Sequence, residues 1–234
     1  MRRIITISAV SLLTIPLLAA CAFVPIGPLV TQDRPIESVT AVSLDSMGDL
    51  TITRGEPSLT ITAGSGVIDS LTAEIRDGVL HLGSKRGFGA LRGDVRYELT
   101  LPTLESLTVA GSGDVSADFG GAATVLVAIE GSGDIEGSGI GSDSVRASIE
   151  GSGDLELSGT TDRLEVSIEG SGDIDLDDLT ARDASASIDG SGDIRVRATS
   201  TLDASISGSG TIRYAGGAEV SSSIDGSGAI VEDD

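Results

Sequence analysis

The sequence predicts an all-β, single-domain, parallel β-helix-like solenoid with coils of about 18–20 residues and an irregular N-terminal β cap. Three observations carry that prediction. Gly-Ser-Gly recurs in register, with copies beginning at Gly111, Gly131, Gly151, Gly170, Gly190, Gly208 and Gly226, a period in the solenoid range. Apolar residues alternate on both sides of each copy: Ile129, Ile149, Ile168, Ile188, Ile206 and Ile224 stand two before the first glycine, and Ile135, Leu155, Ile174, Ile194, Ile212 and Ile230 four after it. Alternation of that kind marks a strand with one buried face. Aromatics make up only 2% of the chain, so a core must come from stacked aliphatics.

Residues 1–20 read as a targeting segment rather than a fold element: Arg2 and Arg3 begin it, an apolar run follows from Ile4 to Leu18, and small residues close it. Leu18, Ala19, Ala20 and Cys21 resemble the lipobox of bacterial lipoproteins, which implies cleavage before Cys21 and lipid on its sulfur. Cys21 is the one cysteine of the chain, and a lone thiol in an exported protein calls for such an explanation. Loss of Arg2 and Arg3 takes the formal net charge from −21 to −23. Residues 21–35 carry Pro25, Pro28 and Pro35 and read as an extended, lipidated tether. They are too short and too broken to span a bilayer, which takes about 20 apolar residues.

The domain is expected over 36–234. From Ile36 to Pro102 the strands continue while the repeat degenerates. Val39 to Leu44 and Leu50 to Ile52 make two runs. Leu59 to Ala63 leads into Gly64, Ser65 and Gly66, read as an eighth, weaker corner, and Asp77-Gly78 reads as a hairpin turn before Val79 to Leu82. Gly83–Gly93 is the longest loop signal and carries Lys85, Arg86, Phe88 and Arg92, the candidate contact loop because it interrupts both the repeat and the acidic field. This irregular part suits a cap over one open end of the solenoid. Over 105–231 each coil reads as a strand, a Gly-Ser-Gly corner, a second short strand and a loose return. Glu232, Asp233 and Asp234 beside the last edge would discourage stacking.

The region VTAVSLDSMGDLTITRG, then DGVLHL, then LPTLESLTVAGSGDV followed by regular GSGD repeats, resembles the bacterial putative autotransporter adhesin head GIN domain family. The resemblance runs from about Ile36 to Ile230. It implies a right-handed parallel β-helix-like fold at the cell envelope, and it offers no catalytic residues to carry over.

Stacking would align Asp114, Asp134, Asp154, Asp173 and Asp193 in one row, and Glu130, Glu150, Glu169 and Asp189 in another. Neighbouring carboxylates about 5 Å apart repel, so water and salt, corner N–H groups or a cation must relieve them. Calcium takes such oxygen ligands, but the simpler expectation is an aspartate hydrogen-bonded to its own glycine turn, with no metal and no cofactor. The corner serines Ser112, Ser132, Ser152, Ser171, Ser191, Ser209 and Ser227 lack an evident base and read as a hydroxyl ladder; His81 reads as an ordinary strand residue. The charge argues against nucleic acid or anionic lipid head groups as partners. The expected protein is therefore non-enzymatic, lipid-anchored and extracytoplasmic. It would present a rigid polar face for adhesion-like binding of glycan or protein, with its oligomeric state open. The alternatives are a structural or stress-sensing envelope module with a membrane-protein partner, and a β-helix enzyme acting on polysaccharide. The regular repeats leave no room for the inserted loops from which such an enzyme builds its cleft.

Overall fold

The computed structural model describes residues 27–85 and 94–233. The expected signal segment, Cys21, and Arg86, Phe88 and Arg92 lie outside those residues. The N-terminal part contributes β1 (Leu29–Arg34), β2 (Ala41–Leu44), β3 (Asp49–Arg54), β4 (Ser58–Gly64), β5 (Leu71–Arg76), β6 (Val79–Ser84) and β7 (Val95–Leu101). The repeat region contributes β8 (Ser106–Val109), β9 (Val115–Asp118), β10 (Thr124–Ile129), β11 (Ile135–Gly151), β12 (Asp154–Gly170), β13 (Asp173–Gly190), β14 (Asp193–Gly208), β15 (Thr211–Ala215), β16 (Glu219–Gly226) and β17 (Ala229–Glu232).

The repeat region is a parallel β-solenoid. Ile149, Ile168, Ile188, Ile206 and Ile224 lie in one register file, and the first four are no more than 3% exposed. On the other side of the corner, Ile135, Leu155, Ile174, Ile194, Ile212 and Ile230 form a second file. Each buried aliphatic contributes roughly 1.5–3 kcal/mol, and successive rungs share the column. The loose return expected from sequence is instead strand: β11 to β14 run unbroken through it for 16–18 residues. The physical reason is that the returns carry their own inward apolar side chains, Ile140, Leu179, Ala181 and Ala198, all buried. Differences in return length are absorbed as register shifts, as between Gly137 and Ile140.

The corners stand in file because their glycines permit close stacking. A Cβ on Gly153 would press on the carbonyl oxygen of Gly133 and come within 3.1 Å of Ile129 Cγ2. From Ser132 to Ser227 each corner serine N–H donates to a glycine carbonyl one rung below, as Ser152 to Gly131 (3.0 Å) and Ser171 to Gly151 (3.0 Å), so the ladder at the corners is built of backbone groups. Another Gly-Ser-Gly, Gly137–Gly139, falls outside this register. Gly137 leaves space that the buried Phe119 ring and Leu157 occupy.

The N-terminal part is a cap, with one correction to its expected layout. Gly64-Ser65-Gly66 is not a corner; it turns the chain from β4 into a short 3-10 segment, Ile68–Ser70. The extra corner is Ser46-Met47-Gly48-Asp49: Leu44 pairs with Val109 before it and Leu50 with Val115 after it. Ser46 is within hydrogen-bond distance of the buried Tyr97 hydroxyl, at 3.3 Å. Burial pushes the Tyr97 phenol above its ordinary range, with the Ser46 bond and the Arg34 charge working the other way.

Rung order also departs from chain order. β2 pairs with β6 on one side and β8 on the other, and β3 pairs with β7 and β9, all parallel. The β2–β3 rung therefore lies between the later β6–β7 and β8–β9. Antiparallel strands close the end: β4 adds to β7, β1 to β4, and β5 to β6 through the Asp77-Gly78 hairpin turn, both residues at positive φ.

Candidate functional site

On a strand with its even positions buried, the odd positions face solvent. Behind each corner those outward positions form two rows. The first row is Asp49, Asp114, Asp134, Asp154, Asp173 and Asp193, ending in Thr211. The second is Thr51, Ser116, Glu136, Glu156, Asp175, Arg195 and Arg213. Up to Asp193 and Arg195 the two rows line a shallow groove of about 560 Å³, whose described lining holds nine carboxylates and one arginine, Arg195.

The aspartate row is relieved by the backbone, though not within its own turn as expected. From Asp114 onward the carboxylates accept from the backbone N–H one rung later: Asp154 N to Asp134 Oδ1 (2.8 Å), Asp173 N to Asp154 Oδ1 (3.3 Å) and Asp193 N to Asp173 Oδ1 (2.9 Å). Asp134 N reaches Asp114 Oδ1 at 3.4 Å, and Thr211 N caps the series on Asp193 Oδ1 at 2.9 Å. The cause is stacking: with rungs about 4.8 Å apart, the N–H above is nearer than the donors of a glycine turn. One oxygen of each of these five carboxylates, Asp114 to Asp193, is thus engaged. An arginine flanks the groove at each end: Arg195 pairs with Asp175 at 2.9 Å near one, and Arg96 lies 4.0 Å from Asp49 at the other. Asp175 holds the Arg195 guanidinium firmly protonated, by hydrogen bond first and charge second.

The row of Glu130, Glu150, Glu169 and Asp189 lies before the corner, on the other strand set, exposed and in register. It does not line the groove. Among the described residues no cluster of three or more metal-ligating side chains forms. Lys85 Nζ donates to the Asp69 carbonyl at 3.3 Å, at the β6 edge and away from the groove. Asp49, Glu136, Glu156, Asp175 and Arg195 were not singled out from sequence. For the last four the signal was the second outward position of each strand, two residues past the aspartate, while Asp49 belongs to the corner that lacks the first two residues of the motif.

His81 Nδ1 lies 2.8 Å from Asp45 Oδ2, on the β2–β6 surface rather than in the groove. Ser43 Oγ donates to the other Asp45 oxygen. The aspartate therefore sits between serine and histidine, an order in which the imidazole does not take the serine proton.

The fold is similar to that in the crystal structure of a putative adhesin from Bacteroides fragilis, with TM-score 0.76 and 24% identity over 88% of this chain and 97% of that one. A putative lipid binding protein from Parabacteroides distasonis is similar at TM-score 0.72 and 29% identity, over 89% and 98% of the two chains. A putative adhesin from Parabacteroides merdae gives 0.64 and 22%, over 89% and 97%. No curated protein sequence matches the chain. The model of the family described as "Putative auto-transporter adhesin, head GIN domain" matches residues 39–218, and the chain belongs to that family.

Proposed function

We propose that the protein is a non-enzymatic adhesin of the cell envelope, held to a membrane through lipid on Cys21, and that its aspartate groove takes an extended ligand bearing ammonium groups. The observation that carries this reading is the register of the carboxylates. Six aspartates in file, with Glu136, Glu156 and Asp175 beside them, form a long negative strip, and five of the six, Asp114 to Asp193, are fixed by backbone hydrogen bonds from the next rung. Binding to such a strip costs little ordering of the protein. An open groove several rungs long suits a polymer better than a small molecule, and amino-bearing glycan and basic peptide share the required charge. A polyanion would meet uniform repulsion. The overall acidity and the family's adhesin description support a binding role. The lipid binding ascribed to the Parabacteroides distasonis protein is not carried over to this groove, whose outward side chains are mainly carboxylates.

The test separates charge from structure. Asparagine keeps the side-chain oxygen that accepts the rung N–H, so the triple variant Asp134→Asn, Asp154→Asn and Asp173→Asn should fold with an unchanged or higher Tm. Its affinity for deacetylated chito-oligosaccharide and for oligolysine should fall at least tenfold at low salt, measured by calorimetry. Equal binding by the variant, or equal binding of acetylated oligosaccharide or polygalacturonate by the native protein, would remove the groove from the proposal.

A further inference from the structure

The two ends of the solenoid differ. At the N-terminal end the column is sealed by Leu59, Ile61, Val67, Ile68 and Leu71, each at most 7% exposed. At the other end the last rung is open. β16 pairs only with β14, and β17 only with β15, among the described residues. Ile224 is 46% exposed while Ile206, directly beneath it, is 3% exposed. Eight residues of β16 thus present a straight row of unpaired backbone groups beside an uncovered aliphatic column, the geometry that accepts an added strand.

Charge decides what that strand can be. Along β16, Val220, Ser222 and Ile224 continue the inward file, and Glu219 and Asp225 stand on the outer side. A second copy meeting this edge tail to tail and antiparallel would set Glu219 of each against Asp225 of the other, in a chain whose net charge is already −21. We propose that the open edge of β16 is a β-augmentation site for an extended segment of another protein, in which aliphatic residues alternate with lysine or arginine. The aliphatic side chains continue the column over Val220 and Ile224, and the basic ones meet Glu219 and Asp225. The site is independent of the groove, because it uses the strand set on the other side of the corner.

The probe is a synthetic nine-residue peptide alternating valine with lysine, offered to the full-length protein and followed by hydrogen exchange and calorimetry. The expected result is new protection at residues 219–226, and at least tenfold weaker protection-linked binding in Ile224→Asp. The groove triple variant should keep that protection, which distinguishes failure of this site from failure of the groove. Asp225→Lys, an exposed change outside the column, should weaken the same binding several-fold and serves if Ile224→Asp folds poorly. Protection confined to the groove strands, equal protection by a valine–glutamate peptide, or a dimer in sedimentation that Ile224→Asp dissociates would each overturn the proposal.

Discussion

Gly153 shows how one residue type sets the geometry of a whole face. Its missing side chain is what lets the Gly133 carbonyl approach from the rung below, and the same contact recurs at Gly172 on Gly153 and at Gly192 on Gly172. Gly153→Ala should cost about 1–3 kcal/mol, because the obstructing atom is backbone and cannot step aside. Gly141, whose added Cβ would meet nothing within 4 Å, is the control: Gly141→Ala should be neutral or stabilise by up to about 1 kcal/mol. Thermal melts of the two variants check the pair. The aspartates follow the same logic, since a carboxylate at the third position after the first glycine meets the next rung's N–H wherever the rungs are in register.

At the scale of the strand, the inward files decide stability, and depth along the stack decides how much each member matters. Ile168 lies mid-stack at 1% exposure, whereas Ile224 is in the last rung. Ile168→Ala should cost about 2–5 kcal/mol, and Ile224→Ala under about 1 kcal/mol, since half its surface already faces water. Urea denaturation of both resolves the difference. The files and the corners were legible because alternation and Gly-Ser-Gly are local signals. The corner at Ser46-Met47-Gly48-Asp49 was hidden because serine and methionine replace the first two residues of the motif. The groove was half legible: its aspartates share a fixed offset from glycine, while Thr51, Ser116, Glu136, Glu156, Asp175 and Arg195 vary in type and announce only an outward position. Pairing of β2 with both β6 and β8 had no local signal at all, as it is settled by which rung covers which apolar edge.

For the whole molecule, a quasi-one-dimensional stack makes stability a property of neighbours. One end is closed by antiparallel strands and the other is not, so fraying should begin at the open end. Native-state hydrogen exchange should show amides of 219–232 exchanging fastest among the strands, those of β15 and the later part of β14 next, and those of β12 slowest. Uniform exchange along the repeat would mean that the stack opens as one unit. The placement of the β2–β3 rung inside the stack carries a consequence for assembly. A chain synthesised as far as Leu101 already holds both β2–β3 and the β6–β7 layer beneath it, a finished foundation with one exposed upper surface. Every later coil can be laid on that surface in the order it leaves the ribosome, so the topology permits vectorial growth from the capped end.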